Sequence, residues 1–238
     1  MREEIAFYQK NLKLSNNLME IYPSIEADTQ EEFLLILLKE LYEDRIEKRR
    51  LRNLNSAGFE LMKSLEGYDF SEVRLPEGLP LPTLESLSFL NKKENLILYG
   101  AAQAGKTHLG IALGVQAINQ GKKAVFYRVH DLIHQLEAQD GKKAEKIHKK
   151  IKMADVLILD EWGYLPLHQE GARILFDIVS SCYETKSIII TTNIEFGRWK
   201  GFLFDEKLTA AIVDRLVHHS HMLIFTGESY RMKHSLIK

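Results

Sequence analysis

The chain has 238 residues, with 32 Lys and Arg against 33 Asp and Glu, and a formal charge of −1. At 45% apolar and 27% charged it has a globular composition, long enough for one large domain or a core with a small appendage. Near-neutrality removes any global positive excess that would announce a nucleic-acid binder, so charge for DNA must be local. The longest run of large apolar residues, Phe33 to Leu38, has six members against the ~20 needed to span a bilayer. The opening Met1-Arg2-Glu3-Glu4 has no secretory apolar region behind it. A single cysteine, Cys182, forbids an intramolecular disulfide and a multi-cysteine metal site. The expectation is a soluble cytoplasmic protein without membrane association.

From Arg2 to Met62 the only Pro is Pro23 and the only Gly is Gly58. Ile5, Tyr8 and Leu12, then Phe33, Leu34, Leu37, Leu38, Leu41 and Tyr42, recur at three- and four-residue steps, which predicts amphipathic helices. Thr29 is the expected N-cap of the second, with Glu32 completing a capping box. That helix runs on into a basic stretch from Asp44 to Arg52. Residues 1–70 are therefore expected to form a helical N-terminal domain for DNA binding and assembly. Pro76, Gly78, Pro80 and Pro82 mark residues 71–90 as a linker.

From residue 91 to 238 the rhythm is α/β. Strands are expected at 95–99, 124–129, 155–159, 187–191 and 222–225, with helices at 107–119 and about 170–183 and Lys-rich helices before 155. Short apolar strands alternating with helices imply a parallel five-stranded sheet covered on both faces.

The segment Gly100-Ala101-Ala102-Gln103-Ala104-Gly105-Lys106-Thr107 satisfies G-x4-G-K-[ST] at every fixed position. The glycines let successive N–H groups curl around phosphates, and the helix that begins at Lys106 adds its N-terminal partial charge. Lys106 is expected on the β/γ oxygens and the Thr107 hydroxyl on Mg²⁺, with the adjoining His108 also at the nucleotide. Val156 to Leu159 leads into Asp160-Glu161, an apolar strand ending in two acids. Asp160 is the expected Mg²⁺ residue, and Glu161 orients or deprotonates the attacking water. No Asn-Lys-x-Asp base-recognition motif accompanies the loop, so ATP is favoured over GTP. The next strand ends Thr191-Thr192-Asn193, which places Asn193 as a γ-phosphate sensor.

These motifs, together with Trp162-Gly163-Tyr164, Ala211 to Leu216 and Gly227-Glu228-Ser229-Tyr230-Arg231, resemble the IstB/DnaC branch of the AAA+ ATPases. Within it the whole chain, including Gly67-Tyr68-Asp69-Phe70, is most similar to the IstB transposition helpers of bacterial insertion sequences. The resemblance implies an ATP-dependent homo-oligomer on duplex DNA that recruits a transposase and guides target choice. It also matches Arg215 to the arginine finger that reaches a neighbouring subunit's γ-phosphate, with Arg198 and Arg231 as fallbacks. The last strand leaves about a dozen residues, so no C-terminal helical lid is expected, and Arg231 is the substitute for a lid-borne nucleotide contact. A helicase loader of DnaC type and a nucleotide-switched DNA-binding scaffold remain open alternatives.

Two dense basic patches stand out. Arg45, Lys48, Arg49, Arg50 and Arg52 form the first, and Lys142, Lys143, Lys146, Lys149 and Lys150 the second. Residues 1–70 carry 10 basic and 14 acidic groups, yet 45–63 inside them nets +4, and 142–152 nets +5. The overall balance thus conceals segregated charge, suited to sequence-independent contact with phosphates. A weaker group, Arg198, Lys200 and Lys207, surrounds Trp199. His218, His219, His221 and His234 match no metal-ligand spacing, and Cys182 reads as core.

Overall fold

The computed structural model describes residues 1–138 and 141–227. Helices α1 (Arg2–Asn11) and α2 (Leu18–Ile21) precede α3 (Gln30–Ala57), 28 residues in one piece. Thr29 does cap it, accepting the Glu32 N–H at 3.1 Å. The Glu32 carboxylate returns to the Asp28 N–H at 3.0 Å, one residue earlier than the standard box. Midway along α3, Asp44 ties down the turn after α1. The Ser15 hydroxyl and the Asn17 amide (3.0 Å) donate to its carboxylate, and Lys48 pairs with it at 2.9 Å.

Two compact units result, Met1–Asn53 and Leu54–Lys238, so α3 begins in one and ends in the other. The domain boundary therefore falls earlier than residue 70. Leu54, Ala57, Phe59, Leu65, Tyr68 and Phe70 all pack into the second unit's core. Residues 71–90 are not a linker either. They supply β1 (Val73–Arg74), α4 (Leu81–Glu85) and α5 (Ser88–Asn91), and Leu79, Leu84, Leu87 and Phe89 are buried. Proline is a poor guide here because Pro82 sits in the first turn of α4, where a missing N–H costs nothing.

The five expected parallel strands are β2 (Asn95–Gly100), β3 (Ala124–Arg128), β4 (Val156–Trp162), β5 (Ser187–Thr192) and β6 (Ser220–Phe225). The sheet order is β1-β6-β2-β5-β4-β3, with β1 added antiparallel to β6 as a sixth strand. Strand alternation divides the core. Phe126, Val156, Ile158 and Ile189 face α6 (Lys106–Asn119) through Leu109, Leu113 and Ile118. On the other face lie Leu157, Leu159, Ile188 and Ile190. They pack with α7 (Val129–Glu137), α8 (Gly141–Met153), α9 (Gln169–Cys182), α10 (Trp199–Leu203) and α11 (Glu206–Val217). Each fully buried Leu or Ile contributes ~1.5–3 kcal/mol, which explains strands that are apolar on both faces. Cys182 is buried in this second cluster, as expected. Among the described residues, no helix is long and apolar enough to cross a membrane.

Candidate functional site

The loop from Gly100 to Thr107 leaves the carboxyl end of β2 and opens α6, where ligands gather in open parallel sheets. Gly100 has φ +154°, and a Cβ there would lie 2.5 Å from the Phe225 carbonyl oxygen of the neighbouring β6. Gly105 has φ +95° and Gln103 φ +63°. This succession of positive φ values turns the backbone into a cradle whose N–H groups and helix terminus suit a chain of phosphates. Lys106 is buried, and its Nζ donates to the carbonyls of Gly100 (2.9 Å) and Ala101 (2.5 Å) within the loop. Burial pushes its ammonium pKa down, while the Asp160 carboxylate pulls it back up.

Tyr68 leans on the loop from outside. Its hydroxyl donates to the Gly105 carbonyl at 3.4 Å, and its ring meets His108 edge-on at 5.2 Å. Burial raises the phenol to about 12 and lowers the His108 imidazole.

Strand β5 lies between β2 and β4, so the ends of all three converge. Asp160 is 2% exposed, and one of its oxygens, Oδ1, accepts from Thr107 (2.8 Å) and from Thr191 (2.5 Å). The Thr107 hydroxyl and the Asp160 carboxylate, two hard oxygens so close and one from each motif, form a donor set that suits Mg²⁺. The strand that carries the acidic pair, β4, does not end there. It continues to Trp162 through a register shift against β5 between Leu159 and Trp162. Glu161 sits in that bulge with φ +58°, its N–H bonded to the Thr191 hydroxyl at 3.0 Å. A left-handed backbone at a non-Gly residue costs ~1–3 kcal/mol, a strain characteristic of functional positions. The bulge exposes Glu161 while Asp160 and Trp162 stay buried. Partial burial raises its carboxyl pKa, and Arg128, with Nε 3.9 Å away, opposes the rise. Arg128 also holds Glu60 at 2.7 Å.

The structure thus brings the phosphate loop, Lys106, Thr107, Asp160 and Glu161 together, with His108 next along α6 against Tyr68. Asn193 is exposed, one residue beyond β5. Arg215, half-buried on α11, donates to the Ala211 carbonyl at 2.9 Å and covers the Phe176 ring at 4.9 Å, rather than touching the loop. Arg231 lies outside the described residues. Of the first basic patch, three members bond within their own unit. Arg45 donates to the Lys13 carbonyl, Lys48 pairs with Asp44, and Arg50 pairs with Glu47. Arg49 and Arg52 are exposed. On α8, Lys142, Lys143, Lys146 and Lys149 carry the basic surface, while Lys150 is drawn over the Tyr127 ring at 5.3 Å. In the weaker group Lys200 pairs with Glu206, and Trp199 is buried. Among the described residues no group of three or more His, Cys, Asp or Glu side chains is placed to hold a metal; His234 lies outside them.

Thr191 and Arg128 are site residues that the sequence motifs do not single out. A faint signal exists for Thr191, a hydroxyl in an otherwise apolar strand end. For Arg128 there is none, since its place opposite Asp160 follows from strand register alone.

Comparison with known proteins fits this geometry. The family described as IstB-like ATP binding protein matches residues 16–237. A protein of insertion sequence IS5376 from Geobacillus stearothermophilus is 35% identical, the match covering 98% of this chain and 95% of that one. Among solved structures, DnaI superposes with a TM-score of 0.57 at 22% identity, covering 69% of this chain and 91% of its own. The DnaC helicase loader superposes with a TM-score of 0.50 at 21% identity, covering 73% and 98%. At such identities the two structures share the fold, that of the AAA+ cores. With a family match spanning almost its whole length and a relative aligned nearly end to end, the chain belongs to the IstB-like ATP binding protein family.

Proposed function

We propose that this chain is a Mg²⁺-dependent ATPase that assembles on duplex DNA as a homo-oligomer and recruits a transposase to its target. The observation that carries the enzymatic part is the hydrogen-bonded chain Thr107–Asp160–Thr191–Glu161, which joins the phosphate loop to a projecting carboxylate. Lys106 holds the β/γ oxygens with the Nζ that otherwise binds its own loop. Thr107 and Asp160 hold Mg²⁺, which supplies positive charge where the phosphoryl group departs. Glu161 receives the proton of the attacking water, and Asn193 reports on the γ-phosphate from the end of β5. Arg215 acts toward the site of a neighbouring copy, a contribution worth ~10³–10⁵ in rate in comparable enzymes.

The transposition part rests on the insertion-sequence relative and on the lysines of α8, which suit phosphate contact without base readout. A cytoplasmic location follows from that role.

Nucleotide binding and hydrolysis by Lys106→Ala and Glu161→Gln test the enzyme. Lys106→Ala is expected to lose binding, and Glu161→Gln to bind ATP but hydrolyse it ~10²–10⁴-fold more slowly. Glu161→Gln turning over at the wild-type rate defeats the catalytic assignment. For assembly, particle size on duplex DNA with ATP should fall in Lys106→Ala; an unchanged distribution defeats it. A pull-down that retains a replicative helicase instead of a transposase would redirect the function to helicase loading.

A further inference from the structure

We infer that Thr191 is a positioning residue of this site, one hydroxyl that holds the Asp160 carboxylate and the Glu161 backbone at once. A hydroxyl has a single proton and two lone pairs. The proton of Thr191 goes to Asp160 Oδ1 at 2.5 Å, and a lone pair receives the Glu161 N–H at 3.0 Å. Its rotation is therefore fixed from both sides. Thr191 is 2% exposed and stands in β5 opposite Leu98 of β2, between the strands that carry the two motifs.

The bulge explains why a hydroxyl is needed there. Between Leu159 and Trp162 the β4–β5 ladder slips, and the Glu161 N–H bonds to the Thr191 hydroxyl. That side chain supplies the acceptor that lets Glu161 remain left-handed. Trp162 then re-enters register opposite Thr192, whose hydroxyl holds the Trp162 carbonyl at 2.9 Å. Glu161 is the single residue turned outward between two anchored neighbours. Removing the Thr191 hydroxyl leaves a poorly solvated N–H and takes one donor from Asp160, so the bulge relaxes and the carboxylate shifts. A displacement of ~1 Å in a reacting group is enough for ~10² in rate.

The inference rests on Glu161 acting as the proton acceptor in ATP hydrolysis. Its test compares Thr191→Val, which keeps the shape, with Thr191→Ser, which keeps the hydroxyl, and Glu161→Gln. Each is measured for Mg·ATP affinity, single-turnover hydrolysis and melting temperature. Thr191→Val should hydrolyse ~30–100-fold more slowly with an affinity within ~3-fold of wild type, and Thr191→Ser should recover to within ~5-fold. A purely structural role would lower the melting temperature of Thr191→Val and leave the rate per folded molecule alone, which overturns the inference. So does a serine variant as slow as the valine one, or an affinity loss as large as the rate loss. If the valine chain does not fold, Thr191→Ala should show the same slowing at unchanged affinity, and its failure to do so overturns the inference equally. Full activity in Glu161→Gln defeats the underlying catalytic reading. An inactive Glu161→Gln beside a fully active Thr191→Val defeats this inference alone.

Discussion

Gly110 and Gly114 lie one turn apart on α6 and should answer differently to the same substitution. A Cβ at Gly110 would meet only ordinary contacts, the nearest being Ile158 Cγ2 at 3.6 Å. At Gly114 it would come within 2.7 Å of Ile158 Cδ1 and 2.8 Å of Phe59 Cζ. Gly110→Ala should therefore raise stability by ~0.5–1 kcal/mol through helix propensity and reduced unfolded-state entropy. Gly114→Ala should lower it by ~1–3 kcal/mol through overpacking, and urea midpoints at constant m-value distinguish the two. The same contrast shows what is legible at this scale. Lys106, Thr107, Asp160 and Glu161 can be read because their roles depend on short spacings along one chain. Thr191 is legible only faintly, because its role depends on how β5 registers against a bulged β4, and a one-residue slip would turn it to the other face.

At the scale of elements, the apolar periodicity of α3 and the strand runs are readable, but proline carries less weight than the sequence suggests. Between the prolines, Leu79, Leu84, Leu87 and Phe89 carry the core signal, spread over helices too short to show a period. The fastening of α1 to α3 is a second non-local feature. The Ser15 hydroxyl, and then Lys48, hold the Asp44 carboxyl below its ordinary range. A depressed carboxylate contributes stability above its unfolded-state pKa and loses it as pH falls through the folded value. The fastening should therefore weaken on acidification below the usual aspartate range. Hydrogen exchange across residues 2–21 should show protection that falls at acid pH in the wild type. In Asp44→Asn that protection should be weaker and lack this acid step. Identical profiles for the two chains would remove Asp44 from that role.

For the whole molecule, the balanced charge is a sum of opposed regions, and α8 is the clearest of them. Neutralising Lys142, Lys146 and Lys149 should weaken DNA binding for all sequences alike. It should also flatten the dependence of log K on log salt by ~0.9 for each phosphate that is no longer neutralised. An unchanged slope takes α8 off the DNA surface. Lys150→Ala should alter the slope little, because that ammonium is engaged over Tyr127.

The sheet itself sets a further rule for association. At one rim the two-residue β1 covers Ile224 and Phe225 at the end of β6. Along the other, Gly58 runs so near the Phe126 carbonyl of β3 that a Cβ would lie 2.9 Å from it, and Glu60 then grips Arg128. The stretch from residue 58 to 74 thus partly covers both rims, which shortens what either edge strand presents as a template for growth. Growth of the sheet from one copy into the next is disfavoured, so an assembly of the kind proposed above would be joined chiefly through side chains.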